Sequence, residues 1–402
     1  MKRRRVKITG LGFVTPAGIG KEEFWAGILE PVSRIRPYDK LGEEYGLLVA
    51  AYMDRFNLNK YMERERIPKG ISRHTQFAAA GAILAVRDSG LAASELVGKN
   101  CVVVTGSSLP DFGGISNSTE AVFTRGAHAA NPRIIYTATN ANTTETVNQV
   151  LGMVSRTMTL QNSCCSGLDA IGYAASMVAI GEAEMAICGG TEAPLHRCPL
   201  LELRAAGLTP PTHEMSDRLA RPFDLWRTTG VVSEGACMFV LEPESSPRPG
   251  YSFIAGYGFA NDPTGDVCGG LVEAARLAMA DAGLRAEQMD SINAWGPGHR
   301  RIDAGEGDAM RRVFGRELGR MSTLSIKGSI GSPLGAAAAI QVGVAAMAQR
   351  TGTLPPTVNW LYPDPSCPFN LSNRPRYIDH EYTLINAHGV GSVNSCMVLQ
   401  RC

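Results

Sequence analysis

The feature that most constrains this chain is an internal repeat. A β-rich run ending on spaced glycines, Val6-Lys7-Ile8-Thr9-Gly10-Leu11-Gly12, returns past the middle as Phe253-Ile254-Ala255-Gly256-Tyr257-Gly258. Both run on into a turn with Pro and Gly, first Pro16 and Gly18, then Pro263 and Gly265. Each is followed by a helical pattern closing on Asp-x-Gly-Leu, at Leu91 and at Leu284. Next come an apolar strand (101–107 and 291–296) and a Ser/Gly loop opening an Ala-rich helix (162–167 and 327–335). A Gly-rich turn after a strand, near Cys188 and near Asn386, ends each half. Matching phrases in one order predict a duplication. The alternation of strand-like and helical runs predicts α/β layering with helices over a buried sheet. The boundary is set near Pro247 to Gly250, giving halves 1–248 and 249–402.

Thirty-nine basic against 38 acidic residues leave a formal charge of +1, so no global field draws the chain to nucleic acid or an anionic membrane. An acidic partner must be met by a local patch. The basic start has no signal-type apolar core after it, and the most apolar later stretch, Leu334 to Ala348, is shorter than the ~20 residues a bilayer crossing needs. That stretch reads as a buried helix. Ten cysteines with no C-x-x-C pair and no zinc spacing predict neither a disulfide framework nor a metal site, and fit a reducing cytoplasm.

Cys164 and Cys165 sit in a turn of small residues between a predicted strand (156–160) and a predicted helix (168–180). At a helix start, free N–H groups and the positive dipole end stabilise a thiolate. The same groups can hold the oxyanion of an attacked thioester. The alternative is a small buried Cys packed under a crossover helix, the commoner fate of the residue.

The order ITGLGFVTPAG, NSCCSGLDAIG, AICGGTE, RPFDLWRTTGVVSEGA, SINAWGPG, SIKGSIGSPLGAAAA and NAHGVGSVN resembles the β-ketoacyl-ACP synthases of the thiolase superfamily, nearest their elongating branch and the polyketide ketosynthases. The resemblance implies the thiolase fold: two α/β halves, each with a mixed five-stranded sheet, in an αβαβα sandwich that pairs as a dimer. It implies that Cys164 is the nucleophile, with the Cys164 and Val390 N–H groups as oxyanion hole, and that no cofactor is needed, the acyl group arriving on the phosphopantetheine of an acyl carrier protein or of CoA.

The departures redirect the chemistry. In the resembled family a His lies in Asn-Ala-His-Gly-Thr, where this chain has Trp295, and another in Lys-Ser-x-x-Gly-His, where it has Ser332. Lys327, Asp303 and Glu306 match, and Gln341 stands at a family Glu position. Indole is a donor only and a hydroxyl is a poor base, so losing two groups each worth ~10²-fold should leave malonyl decarboxylation very slow. Two histidines can refill the site: His388, where the branch commonly has Phe, and His299, four residues after Trp295. Each has a second reading, His388 as a structural His on a tight turn and His299 as a solvent-facing neighbour of Arg300 and Arg301. Val390 replaces the gating Phe, which predicts an open gate, and Leu109 aligns near the far end of the acyl pocket.

Lys60, Arg64, Arg66, Lys69 and Arg73 cluster where the family docks its carrier protein, although Glu63 and Glu65 interleave them as on a solvated mixed-charge helix. His74, His128, His196, His213 and His380 have no motif context and read as surface or loop residues. The expected function is an acyltransferase forming acyl-Cys164 in fatty acid or polyketide-type biosynthesis. Its expected partners are an acyl carrier protein and a second subunit, as a homodimer or as a heterodimer with another ketosynthase-like chain, and one alternative function is an atypical condensing enzyme using His388 or His299. The other is a non-catalytic partner like the chain-length factors, paired with an active ketosynthase.

Overall fold

Val6–Thr15 is buried at all ten positions, as only a strand covered on both faces can be. In the computed structural model, residues 3–402 other than 43, 44, 47, 213 and 267 are described, so His213 lies outside them. The first half contributes strands β1 (Val6–Thr15), β2 (Cys101–Gly106), β3 (Arg156–Leu160), β4 (Met185–Glu192) and β5 (Gly235–Pro243). The second contributes β6 (Ser252–Asn261), β7 (Ser291–Asn293), β8 (Ser322–Leu324), β9 (Tyr382–Gly389) and β10 (Val393–Arg401).

The two sets have one topology. Spatial order is β3-β2-β4-β5-β1 in the first and β8-β7-β9-β10-β6 in the second. The second strand of each half runs parallel to both neighbours, and the last three pair antiparallel. Even the irregularities repeat, since Thr9 and Ala255 are each the extra residue of a β-bulge just before the first glycine of the repeated phrase. One detail departs from two separate sheets. β1 and β6 pair through Val6 with Ile254 and Lys7 with Phe253, making the sheet continuous from half to half.

Helices α1 (Arg73–Ser89) and α3 (Leu271–Ala282) cover the outer faces, against β1 and β6. Both end on the glycine of Asp-x-Gly-Leu, Gly90 and Gly283, in the left-handed conformation of a helix C-cap. Between the half-sheets lie α2 (Ser166–Ala179) and α5 (Leu334–Thr351), with α4 (Arg300–Phe314) beside α3. The layers therefore run αβαβα. α5 is buried continuously from Gly335 to Gln349 because it touches strands of both halves, which explains its alanines. Among the described residues no helix is long and apolar enough to cross a membrane.

The repeated glycines set the distance between layers. A Cβ on Gly12 would stand 1.9 Å from the Gly81 carbonyl oxygen of α1, and one on Gly258 would stand 2.2 Å from the Ala274 oxygen of α3. Both obstacles are helix backbone, so strand and helix must separate to admit a methyl group. Gly12→Ala and Gly258→Ala should each cost ~1–3 kcal/mol in urea unfolding, while Gly319→Ala, with nothing near its Cβ position, should stay within ~0.5 kcal/mol. Equal stability for all three would refute this account of the spacing.

Candidate active site

Part-buried hydrogen bonds build the turn before α2. Ser163 takes φ 50°, a left-handed value unusual for a non-glycine residue. The Ser166 hydroxyl accepts the Asn162 N–H and donates to the Ser163 carbonyl, closing the turn from below. The Asn162 amide donates to Asp169, whose other oxygen accepts from Tyr257 of β6 and Ser395 of β10. The second half thus anchors the first half's loop. The glycine-lined helix starts meet here too, since a Cβ on Gly167 would lie 2.5 Å from the Gly335 oxygen.

A cavity of about 60 Å³ brings together Cys164, Trp295, His299, Ser332, His388 and Val390. Six sequence-selected residues from four segments therefore share one space. Leu109 is not among the cavity's walls; it is half-buried on the loop after β2, where its carbonyl accepts from Ser107. Val390 is 66% exposed at the loop tip, so its side chain closes little.

Cys165 is the N-cap of α2, which leaves Cys164 one residue outside the helix. The expected lowering of its thiol pKa is not the net result. Burial and the Glu192 carboxylate push Cys164 up to about 11, against the Ser163 hydroxyl, the Val390 N–H and Lys327. Cys165 is fully buried, and burial raises it well above the ordinary thiol range. Of the adjacent thiols only Cys164 reaches the cavity.

The two histidines present opposite edges. His388 Nδ1 lies 3.0 Å from Asn394 Oδ1, and the Asn394 amide nitrogen donates to the Ser392 carbonyl, which fixes that amide's orientation. Nδ1 must then carry the hydrogen, leaving Nε2 of neutral His388 with a lone pair. His299 is the N-cap of α4, and its Nδ1 accepts the Ile302 N–H. Its neutral form carries hydrogen on Nε2 and is a donor. Burial lowers the pKa of both, helped at His299 by Arg301 and Arg227. His299 thus both caps a helix and lines the cavity, contrary to a solvent-facing place.

Behind Trp295 lies a buried charge network. Glu306 accepts the Trp295 and Gly296 N–H groups at 2.8 Å each and the Asn386 amide at 2.8 Å. Lys327 donates to the Trp295 carbonyl at 2.5 Å and to Gln341 Oε1 at 3.0 Å, and its ammonium lies 3.8 Å from the indole centroid. Burial raises Glu306 and lowers Lys327, each partly offset by the other group's charge. Asp303 accepts from Phe223 and Gly298, and burial pushes it up to about 7.

Other expectations need correction. The basic cluster is not one helix: it runs from two short 3-10 turns, Leu58–Lys60 and Arg64–Arg66, through a turn at Lys69 to Arg73 at the start of α1. Lys60, Arg64, Arg66 and Lys69 are exposed. Arg73 is exposed too, but its guanidinium also grips the buried Glu234 carboxylate through two 2.6 Å bonds and donates to Met53 O. His128 is exposed and His196 half-buried, but His74 and His380 are buried at 3% and 2% exposure. His74 lies in α1, an element whose buried face includes it beside Thr75 and Phe77. Sequence reasoning missed Glu192, which ends β4 and accepts from Ser107, Ser108 and the Gly335 N–H. A lone Glu closing the apolar run AICGGTE was the available signal. It also missed Asn394, in the loop already selected for His388. Among the described residues no His, Cys, Asp or Glu group is arranged to hold a metal ion.

Comparison with known proteins gives the family and agrees with the fold. The model of the β-ketoacyl synthase N-terminal domain matches residues 3–246, and that of the C-terminal domain matches residues 251–360. A Streptomyces virginiae protein described as a polyketide beta-ketoacyl synthase is 32% identical, over 99% of this chain and 98% of its own. The 3-oxoacyl-acyl-carrier-protein synthase 2 of Coxiella burnetii is 29% identical over 100% of this chain and 99% of its own. Among solved structures, the ishigamide ketosynthase/chain length factor superposes with TM-score 0.93 at 27% identity, covering all of both chains. Matched in both domains and along its whole length, with the fold and the cysteine turn in place, the chain belongs to the β-ketoacyl synthase family.

Proposed function

We propose that this chain is a ketosynthase-like acyltransferase in fatty acid or polyketide-type biosynthesis. Cys164 takes an acyl group from an acyl-carrier-protein or CoA thioester, and conventional malonyl decarboxylation is impaired. The observation that carries this reading is the shared cavity of Cys164 and His388, in which Asn394 leaves His388 Nε2 free to accept a proton. A thiol held up to about 11 needs such a base at neutral pH. The N–H groups of Cys164 and Val390 would then hold the thioester oxyanion.

Trp295 and Ser332 would occupy the places of the family's histidine pair. Neither can serve as a proton acceptor of imidazole strength. Lys327 keeps its place in the framework, tied to the Trp295 carbonyl. The exposed Lys60, Arg64, Arg66 and Lys69 would meet an acidic carrier protein.

A partner-subunit reading is favoured by one observation. Phe123 and Ile135 stand 85% and 84% exposed, two large apolar side chains that a second chain, of this or another kind, could cover. In that reading a second ketosynthase-type subunit supplies the histidines, and Cys164 is idle.

Intact-mass measurement after incubation with acyl-carrier-protein thioesters should show an acyl adduct that Cys164→Ala removes, and His388→Ala should slow its formation ~10²-fold. No adduct with any thioester, together with copurification of a second ketosynthase subunit, would establish the partner reading instead. For the free protein, iodoacetamide labelling of the Cys164 peptide should still be rising above pH ~9. A plateau below pH ~7 would contradict the raised thiol.

A further inference from the structure

The space and polarity around Cys164 bear on what takes the acyl group away. The cavity's 60 Å³ is room for about four to six water-sized groups at ~10–15 Å³ each, so the character of its walls, more than its size, bears on the acceptor. Trp295, Pro297, Ile302 and Leu334 wall the cavity with apolar surface.

The walls also hold no fixed charge. Among the described residues lining the cavity there is no Lys or Arg. The nearby buried cations are committed: Lys327 donates to the Trp295 carbonyl and to Gln341 and lies over the indole face, and Arg227 is bonded to Asp364. A carboxylate entering the cavity would lose water without gaining a counter-ion, at a cost of several kcal/mol. A thiol on a flexible arm needs to bring in only its sulfur, and it enters neutral.

Resting on the acyl-Cys164 reading above, we infer that the acceptor is a second pantetheine-type thiol, so that the site is a thiol-to-thiol acyl shuttle from which Trp295 excludes carboxylated acceptors. The steps balance without an oxidant or other co-reactant. In loading, the Cys164 Sγ–acyl bond forms as the donor S–acyl bond breaks, and the Cys164 proton passes through His388 Nε2 to the departing donor sulfur. In unloading, the acceptor sulfur forms its bond to the acyl carbon as the Cys164 Sγ–acyl bond breaks. The acceptor's proton passes through His388 back to Cys164. Donor thioester and acceptor thiol become donor thiol and acceptor thioester, with no carbon–carbon bond made and no carbon dioxide released.

The test mixes the whole protein with acyl-CoA thioesters from acetyl to decanoyl, adds free pantetheine, and follows acyl-pantetheine and the Cys164 adduct by mass spectrometry. Acyl-pantetheine should form at least ~10²-fold faster than without protein, Cys164→Ala should abolish this, and added malonyl-CoA should not slow it. In Trp295→Ala, or in Trp295→Phe should the first variant not fold, malonyl-CoA should become an inhibitor. An adduct that pantetheine does not discharge, or that malonyl-CoA discharges with release of carbon dioxide, would overturn the shuttle while leaving acyl-Cys164 formation standing. No adduct from any thioester would remove the underlying reading itself.

Discussion

Everything at the site depends on how closely the two central helices begin. α2 and α5 can meet only because Gly167 has no side chain, since its Cβ would stand 2.5 Å from the Gly335 carbonyl oxygen, while a Cβ on Gly335 would meet the Ser108 backbone and the Glu192 carboxylate. Glu192 completes the junction by accepting both from Ser108, after β2, and from the Gly335 N–H. One carboxylate thereby ties first-half loops to the second half's central helix. Burial pushes Glu192 up to about 7, opposed first by Ser108, so its hydrogen bonds rather than bulk solvent keep it in register. The same carboxylate bears on Cys164 and raises its thiol. The group that assembles the site also makes its nucleophile reluctant.

The second constraint is the buried framework behind Trp295. Glu306 satisfies two consecutive backbone N–H groups of the Trp295 turn, and Lys327 satisfies its carbonyl. Removing either leaves buried polar groups without partners, a larger loss than the bond itself is worth. A backbone held at both ends this way can change its side chain without moving. That accounts for a chain that keeps Lys327, Asp303 and Glu306 while presenting an indole to the cavity. The ammonium over the indole face adds a cation–π contact, so the replacement is packed into the network and not merely tolerated by it.

The fold was largely legible, because the signals that fix it are local. Glycine at Gly12 and Gly258 and left-handed caps at Gly90 and Gly283 recur at matching points of both halves, and each reports a backbone requirement that no other residue meets as cheaply. The cavity's members were legible for a related reason, since each sits in a loop whose length and glycines fix its path. What the sequence concealed was balance and partnership. The position of Cys164 before a helix argued for a low thiol pKa, but desolvation and a distant Glu192 set the net direction. Arg73 read as one more cation in a basic run, although its Glu234 partner is 161 residues away. His74 read as a surface or loop residue because its burial within α1 leaves no local mark.

The contrast between His388 and His299 shows how second contacts decide chemistry that residue type leaves open. Both are enclosed imidazoles beside one cavity, and both are held neutral by burial. Asn394 takes the Nδ1 hydrogen of one and thereby makes its far edge basic; the start of α4 gives an N–H to Nδ1 of the other and makes its far edge acidic. A potential acceptor and a potential donor then line the cavity that Cys164 also lines. Acyl exchange between sulfurs asks for that pair, one group to take a proton and one to steady a polarised carbonyl, whereas generating a carbanion from a carboxylate asks for counter-charge. The cavity's lining holds two imidazoles and no Lys or Arg among the described residues, and this is the contrast on which the proposed exchange rests.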